Sequence, residues 1–106
     1  MDKNFIPSGL TLNFDTIYDD YGTFMFETRD PIYRTILRAF KKLKDRDKVS
    51  VNVYALVEKL EFESELEFTK ENLNILIDVI NPYFEGLEEY EICAEVMKTH
   101  SELVRQ

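Results

Sequence analysis

The chain has 106 residues, a single cysteine, and 21 acidic against 13 basic side chains, for a net charge of −8. That length fits one domain, residues 1–106, and one cysteine excludes an internal disulfide scaffold, which points to a reducing compartment. An apolar content of 44% excludes a disordered polymer, and no apolar run approaches the roughly 20 residues that span a bilayer or the apolar core of a signal peptide; the expectation is a cytoplasmic protein without membrane contact.

In chain order, Leu10, Leu12 and Phe14 share one parity, Phe24 and Phe26 share another, and Asp19-Asp20-Tyr21-Gly22 between them is turn chemistry. The pattern predicts a β-hairpin of residues 10–18 and 23–29. Asp30-Pro31 reads as the N-cap and first residue of a helix reaching about residue 44, with Ile32, Ile36, Phe40 and Leu43 on its apolar face and Arg34, Arg38, Lys41 and Lys42 opposite. Ser50 reads as the next N-cap, followed by Val53, Leu56, Val57 and Leu60 at helical spacing. The alternation of Val49, Val51 and Val53 makes a strand start the competitor.

The octet at positions 61–68, EFESELEF, alternates without interruption: Glu61, Glu63, Glu65 and Glu67 on one parity, Phe62, Ser64, Leu66 and Phe68 on the other. As a strand it carries one carboxylate about every 6.6 Å along one face. No Gly or Pro lies between residues 50 and 81, so a helical octet stays open, in which Glu61 and Glu65 align while Glu63 and Glu67 rotate away. Thr69 then caps a helix with Leu73, Leu76, Ile77 and Ile80, widened by Ile75 and Val79. This is expected to be the most buried helix and to end or kink at Asn81-Pro82. A last helix, from about Leu87 to Val104, turns Tyr90, Cys93, Val96, Met97, Leu103 and Val104 inward. The expected fold is α+β in the order ββααβαα, an N-terminal β-hairpin plus one further short strand packed as an antiparallel sheet against about four helices.

Charge is divided unevenly. Residues 1–50 hold nine Lys or Arg and eight Asp or Glu, whereas residues 51–106 hold four and thirteen. A small basic patch, Arg34 to Lys48, is thus followed by a long acidic surface that repels nucleic acid and attracts cationic partners. If the stretch after residue 69 is the second helix of a helix-turn-helix pair, Glu71 and Asp78 give it the wrong sign for a DNA groove.

Motifs for catalysis are lacking. Cys93 and His100, the only thiol and imidazole, are seven residues apart on one predicted helix face, about 10 Å along its axis, too far for a thiolate–imidazole pair. One Cys and one His cannot complete a zinc site, Asp15, Asp19 and Asp20 lack calcium-loop spacing, and the three glycines are isolated rather than grouped around a phosphate. No enzyme, cofactor, metal or direct nucleic-acid contact is expected.

What remains is the glutamate ridge. A regular row of carboxylates resembles a phosphate backbone in spacing and sign, and a Lys- and Arg-lined groove built for nucleic acid is a natural recipient. The plain alternative is a solvated edge strand whose charge prevents aggregation. The sequence therefore predicts a protein-binding module of the inhibitor or regulator kind, in the manner of DNA-mimic or phage anti-defence proteins, by analogy of size and charge and not of motif. Its partner-binding residues are Glu61, Glu63, Glu65 and Glu67, with Glu88, Glu89 and Glu91 as a second cluster. The rival is a homodimer or larger homo-oligomer in which the basic helix of one copy meets the acidic surface of another.

Overall fold

The computed structural model describes residues 9–106. Strand β1 (Gly9–Tyr18) leads into helix α1 (Tyr21–Lys42), and β2 (Lys48–Val57) and β3 (Leu60–Thr69) follow as a hairpin. Helix α2 (Asn81–Gly86) and helix α3 (Tyr90–Val104) complete the chain, with 3₁₀ turns at Leu43–Asp45 and Lys70–Asn72 and a π-helical turn at Leu76–Ile80. The sheet order is β1-β2-β3, with β1 parallel and β3 antiparallel to β2.

The class is α+β, but the expected order ββααβαα is replaced by βαββαα, with three helices and a mixed sheet. The predicted hairpin of residues 10–18 and 23–29 does not exist: its first arm is β1, and its second lies inside α1. Asp20 is the N-cap, its carboxylate accepting from the Thr23 N–H at 2.8 Å, so α1 begins ten residues before the expected Asp30-Pro31 start. The Phe24/Phe26 alternation misleads because Phe26 is 63% exposed while Phe24 is 1% exposed. The inward stripe runs Phe24, Thr28, Thr35, Ile36, Ala39, Phe40 at helical spacing, and two of its members are threonines. Their hydroxyls donate to the carbonyls four residues back, Thr28 to Phe24 at 2.7 Å and Thr35 to Pro31 at 2.8 Å, which lets polar residues sit in the core.

Residues 48–57 form a strand, so the helix expected after Ser50 gives way to its competitor. Val49, Val51, Val53, Ala55 and Val57 are all buried and form the sheet side of the core. Ten continuous pairs run from Lys48↔Thr69 to Val57↔Leu60, closed by the two-residue turn Glu58-Lys59. Both turn residues adopt left-handed backbone, φ 56° and 66°, as the tight hairpin turn that matches strand twist requires. Glycine or asparagine ordinarily signals such a turn, which is why this hairpin was invisible in the sequence.

Helix α1 packs on one face of the sheet, and α3 packs against α1 and α2. Phe24, Phe40, Leu43, Leu76, Ile80, Phe84 and Val96 are each 1% exposed or less and join the β2 valines in one cluster. The helix expected after Thr69 begins as the 3₁₀ turn, capped by Thr69 and Asn72 in a reciprocal box. Asn81-Pro82 does not end the helical path that follows. The Asn81 N–H bonds the Leu76 carbonyl across a widened π turn, which displaces the carbonyls that a proline ring would otherwise strike. Nor is this stretch the most buried one: Val79 is 41% exposed, and α1 carries the longer buried stripe. On α3 the buried face is Cys93, Val96, Thr99 and Leu103; Tyr90, Met97 and Val104 are exposed, against expectation.

Candidate glutamate-lined sheet face

The octet is a strand, and its two parities separate as the alternation requires. Phe68 is buried and Phe62, Ser64 and Leu66 are half-buried on the helix side, while Glu61, Glu63, Glu65 and Glu67 are exposed on the opposite side. The Phe62 ring lies edge-on to Phe24 at 5.1 Å and to Tyr21 at 5.4 Å, so aromatic packing beneath β3 holds the ridge in register.

Register also fixes the neighbours of each glutamate. Across the sheet the rows are Thr11–Asn52–Glu65, Asn13–Tyr54–Glu63 and Ile17–Leu56–Glu61, with Ser50 opposite Glu67. Opposed residues in a sheet stand about 5 Å apart, so each carboxylate has a neutral neighbour on β2 and a carboxylate about 6.6 Å away along β3. Among the described residues, the only cation within 4 Å of the four is Lys48, whose Nζ is 3.6 Å from Glu67. The face grades from Ser50, which is only 4% exposed, and half-buried Asn52 at one end to Leu56 and Ile17 at the other, the last two being 38% and 62% exposed.

Strand β1 breaks register between Asn13 and Ile17, and a shallow cleft of about 430 Å³ opens beside that irregularity. Its lining includes Asn13, Asp15, Tyr54, Leu56, Glu61 and Glu63. Tyr54, Asn52, Leu56 and Asn13 were not among the site residues read from the sequence, which placed Leu56 on a helix face. For the three on β2 the signal that could have found them is the alternation of that strand, whose even-numbered residues share the ridge's face.

The second cluster is built differently. Glu88 takes a left-handed backbone, φ 60°, in the loop after α2; Glu89 precedes α3, and Glu91 lies in its first turn. Glu89 accepts from Arg34 at 2.8 Å, and Arg34 also donates to Asp30, which accepts from the Tyr83 hydroxyl at 2.8 Å. The guanidinium lies 5.0 Å from the Phe84 ring centre. The Arg34 hydrogen bond holds the Asp30 carboxyl below its ordinary range, and burial, with the bond to Asp30, pushes the Tyr83 hydroxyl up. Lys41 pairs with Glu95 on α3. The basic helix thus spends Arg34 and Lys41 on acids of its own chain, and the structure does not bring Glu88, Glu89 and Glu91 together with the β3 ridge as one array.

Cys93 is 9% exposed, with its sulfur 3.9 Å from the Asn81 carbonyl, and burial pushes its thiol up. It serves packing, and its thiolate is not favoured at neutral pH. Among the described residues no group of three or more His, Cys, Asp or Glu is placed to hold a metal ion, and no helix is long and apolar enough to cross a membrane. No family model, curated protein or solved structure matches the chain.

Proposed function

We propose that the protein is a small binding module that docks its glutamate-lined sheet face on the basic, nucleic-acid-binding surface of a larger protein, and so inhibits or regulates it. The observation that carries this reading is the ridge: four consecutive same-face carboxylates on a rigid strand, with neutral β2 neighbours and one cation in reach among the described residues. Carboxylates kept for solubility need no such order, and a row of like charges is unfavourable to assemble unless something else is gained. The flanking Tyr54, Leu56 and Ile17 suit a protein partner, because aromatic and aliphatic anchors supply the affinity that charges steer.

The rival, assembly of copies through basic helix and acidic surface, draws less support, since Arg34 and Lys41 are already engaged within the chain. The test is capture from a lysate of the source cells, with elution by duplex DNA. Wild-type protein should retain a partner that DNA displaces, and Glu63→Lys with Glu65→Lys should retain none while unfolding at the same temperature. Retention unchanged by that double substitution refutes the reading.

A further inference from the structure

The hairpin turn decides more than the direction of the glutamate side chains. In a two-residue turn the flanking residues, here Val57 and Leu60, face each other as a hydrogen-bonded pair, and pairs then alternate along the ladder. Ala55↔Phe62, Val53↔Ser64 and Val51↔Leu66 are therefore the pairs that exchange main-chain hydrogen bonds. The residues between them, Glu61, Glu63, Glu65 and Glu67, point their own N–H and C=O groups away from β2. Strand β3 is at the edge of the sheet, and no described strand pairs with its outer side. The same four residues thus supply the carboxylates on the face and the main-chain donors and acceptors along the rim.

Exposed edges are usually blunted by a bulge, a proline or a lysine. The other edge, β1, has its irregularity between Asn13 and Ile17. Strand β3 has ten regular residues and none of these devices. Its charge pattern nevertheless rejects a second copy. Antiparallel pairing joins outward-facing residues to outward-facing residues, so two β3 edges would set glutamate directly against glutamate. A strand with Lys or Arg at every second position meets the opposite situation: each cation falls beside a carboxylate, and its remaining side chains extend the half-buried seam of Phe62 and Leu66.

We infer that β3 is a docking edge for an extended segment of a partner protein with basic residues at alternate positions, which adds to the sheet as a fourth strand. This rests on the acidic-face reading and specifies how the face is engaged, by strand addition and not by charge contact alone.

The test uses the full chain and two octapeptides of equal composition, one alternating lysine and threonine, the other with four lysines followed by four threonines. The alternating peptide should bind at least tenfold more tightly. On binding, amide exchange at Glu61, Glu63, Glu65 and Glu67 should slow at least tenfold, while Phe62, Ser64 and Leu66 are slow throughout. Glu65→Pro removes one outward N–H and no bond to β2, and should weaken the alternating peptide more than Glu65→Gln does. Should the proline variant not fold, the exchange pattern of the wild type decides alone. Equal binding of both peptides with the four amides still fast overturns strand addition and leaves the acidic docking face standing. Binding of neither peptide overturns both. Slow exchange at the four amides in the protein alone also overturns the inference, because the rim is then already occupied.

Discussion

Acids of the helical layer and acids of the outer strand share their chemistry and differ in company. Asp30 accepts from Arg34 and Tyr83, Glu89 from Arg34, and Glu95 from Lys41; each joins elements distant in sequence, or buttresses one that does. On β3, Lys48 beside Glu67 is the single cation within 4 Å among the described residues. Among the described residues, ion pairing follows the helical layer, and on the glutamate-bearing side of the sheet it is limited to Lys48 with Glu67. Negative charge in the first region belongs to the architecture, and in the second the fold uses little of it.

Charge reversal separates the two regions most sharply. Glu63→Lys with Glu65→Lys should reduce binding to a cationic partner by tenfold or more, measured by titration at low salt, with little change in unfolding temperature. The same reversal at Glu88 and Glu91 should leave affinity within about threefold, since they lie outside the ridge; equal losses at both places would erase the distinction.

Stability should respond in the contrary sense. Arg34→Ala breaks the link between Asp30 and Glu89 and should lower stability by about 1–2 kcal/mol in denaturant titration, the upper part of the range for partly exposed networked charges. Because the Asp30 carboxyl is held below its ordinary value, its contribution is complete above about pH 4 and disappears as pH falls through the lower folded value. A stability profile of the Asp30→Asn variant should therefore converge on that of the wild type under acid conditions. If the gap between them is constant with pH, the pairing contributes nothing.

The turn offers a smaller effect. Lys59→Gly relieves one left-handed non-glycine residue and should raise stability by about 1 kcal/mol, shifting the midpoint by several degrees. Smallest is the ridge itself: Glu63→Gln should stabilise by a few tenths of a kcal/mol, from neighbouring charges about 6.6 Å apart in water, and the gain should fade with added salt. Destabilisation by that neutral substitution would mean that the carboxylate has a structural partner.

Legibility in the sequence followed the same division. The ridge could be read because every residue from Glu61 to Phe68 obeys one period, and a strand buried on one side has no other way to place them. Of helix α1 only the half from Pro31 onward was readable, because threonines occupy core positions and Pro31 stands inside it, so the hydrophobic stripe looked interrupted where the backbone continues. The β2–β3 turn lacks glycine, and the β1–β2 pairing is parallel, spanning a 22-residue helix that no local pattern announces. Of the candidate site, the side-chain direction of the four glutamates was readable. Their outward main-chain groups and the Asn52, Tyr54 and Leu56 row beside them depended on pairing that only the folded hairpin defines.

The position of Tyr54 has a practical outcome. The chain contains six tyrosines and no tryptophan, so its ultraviolet emission comes from phenol rings alone. Tyr54 sits half-buried between Asn13 and Glu63 in the middle of the glutamate-bearing face, whereas Tyr18 is enclosed and Tyr83 is hydrogen-bonded in the helical layer. A tryptophan introduced in its place would be a single native-site lamp, excited apart from the rest, whose colour and quenching by iodide report directly on whether that surface is wet or covered.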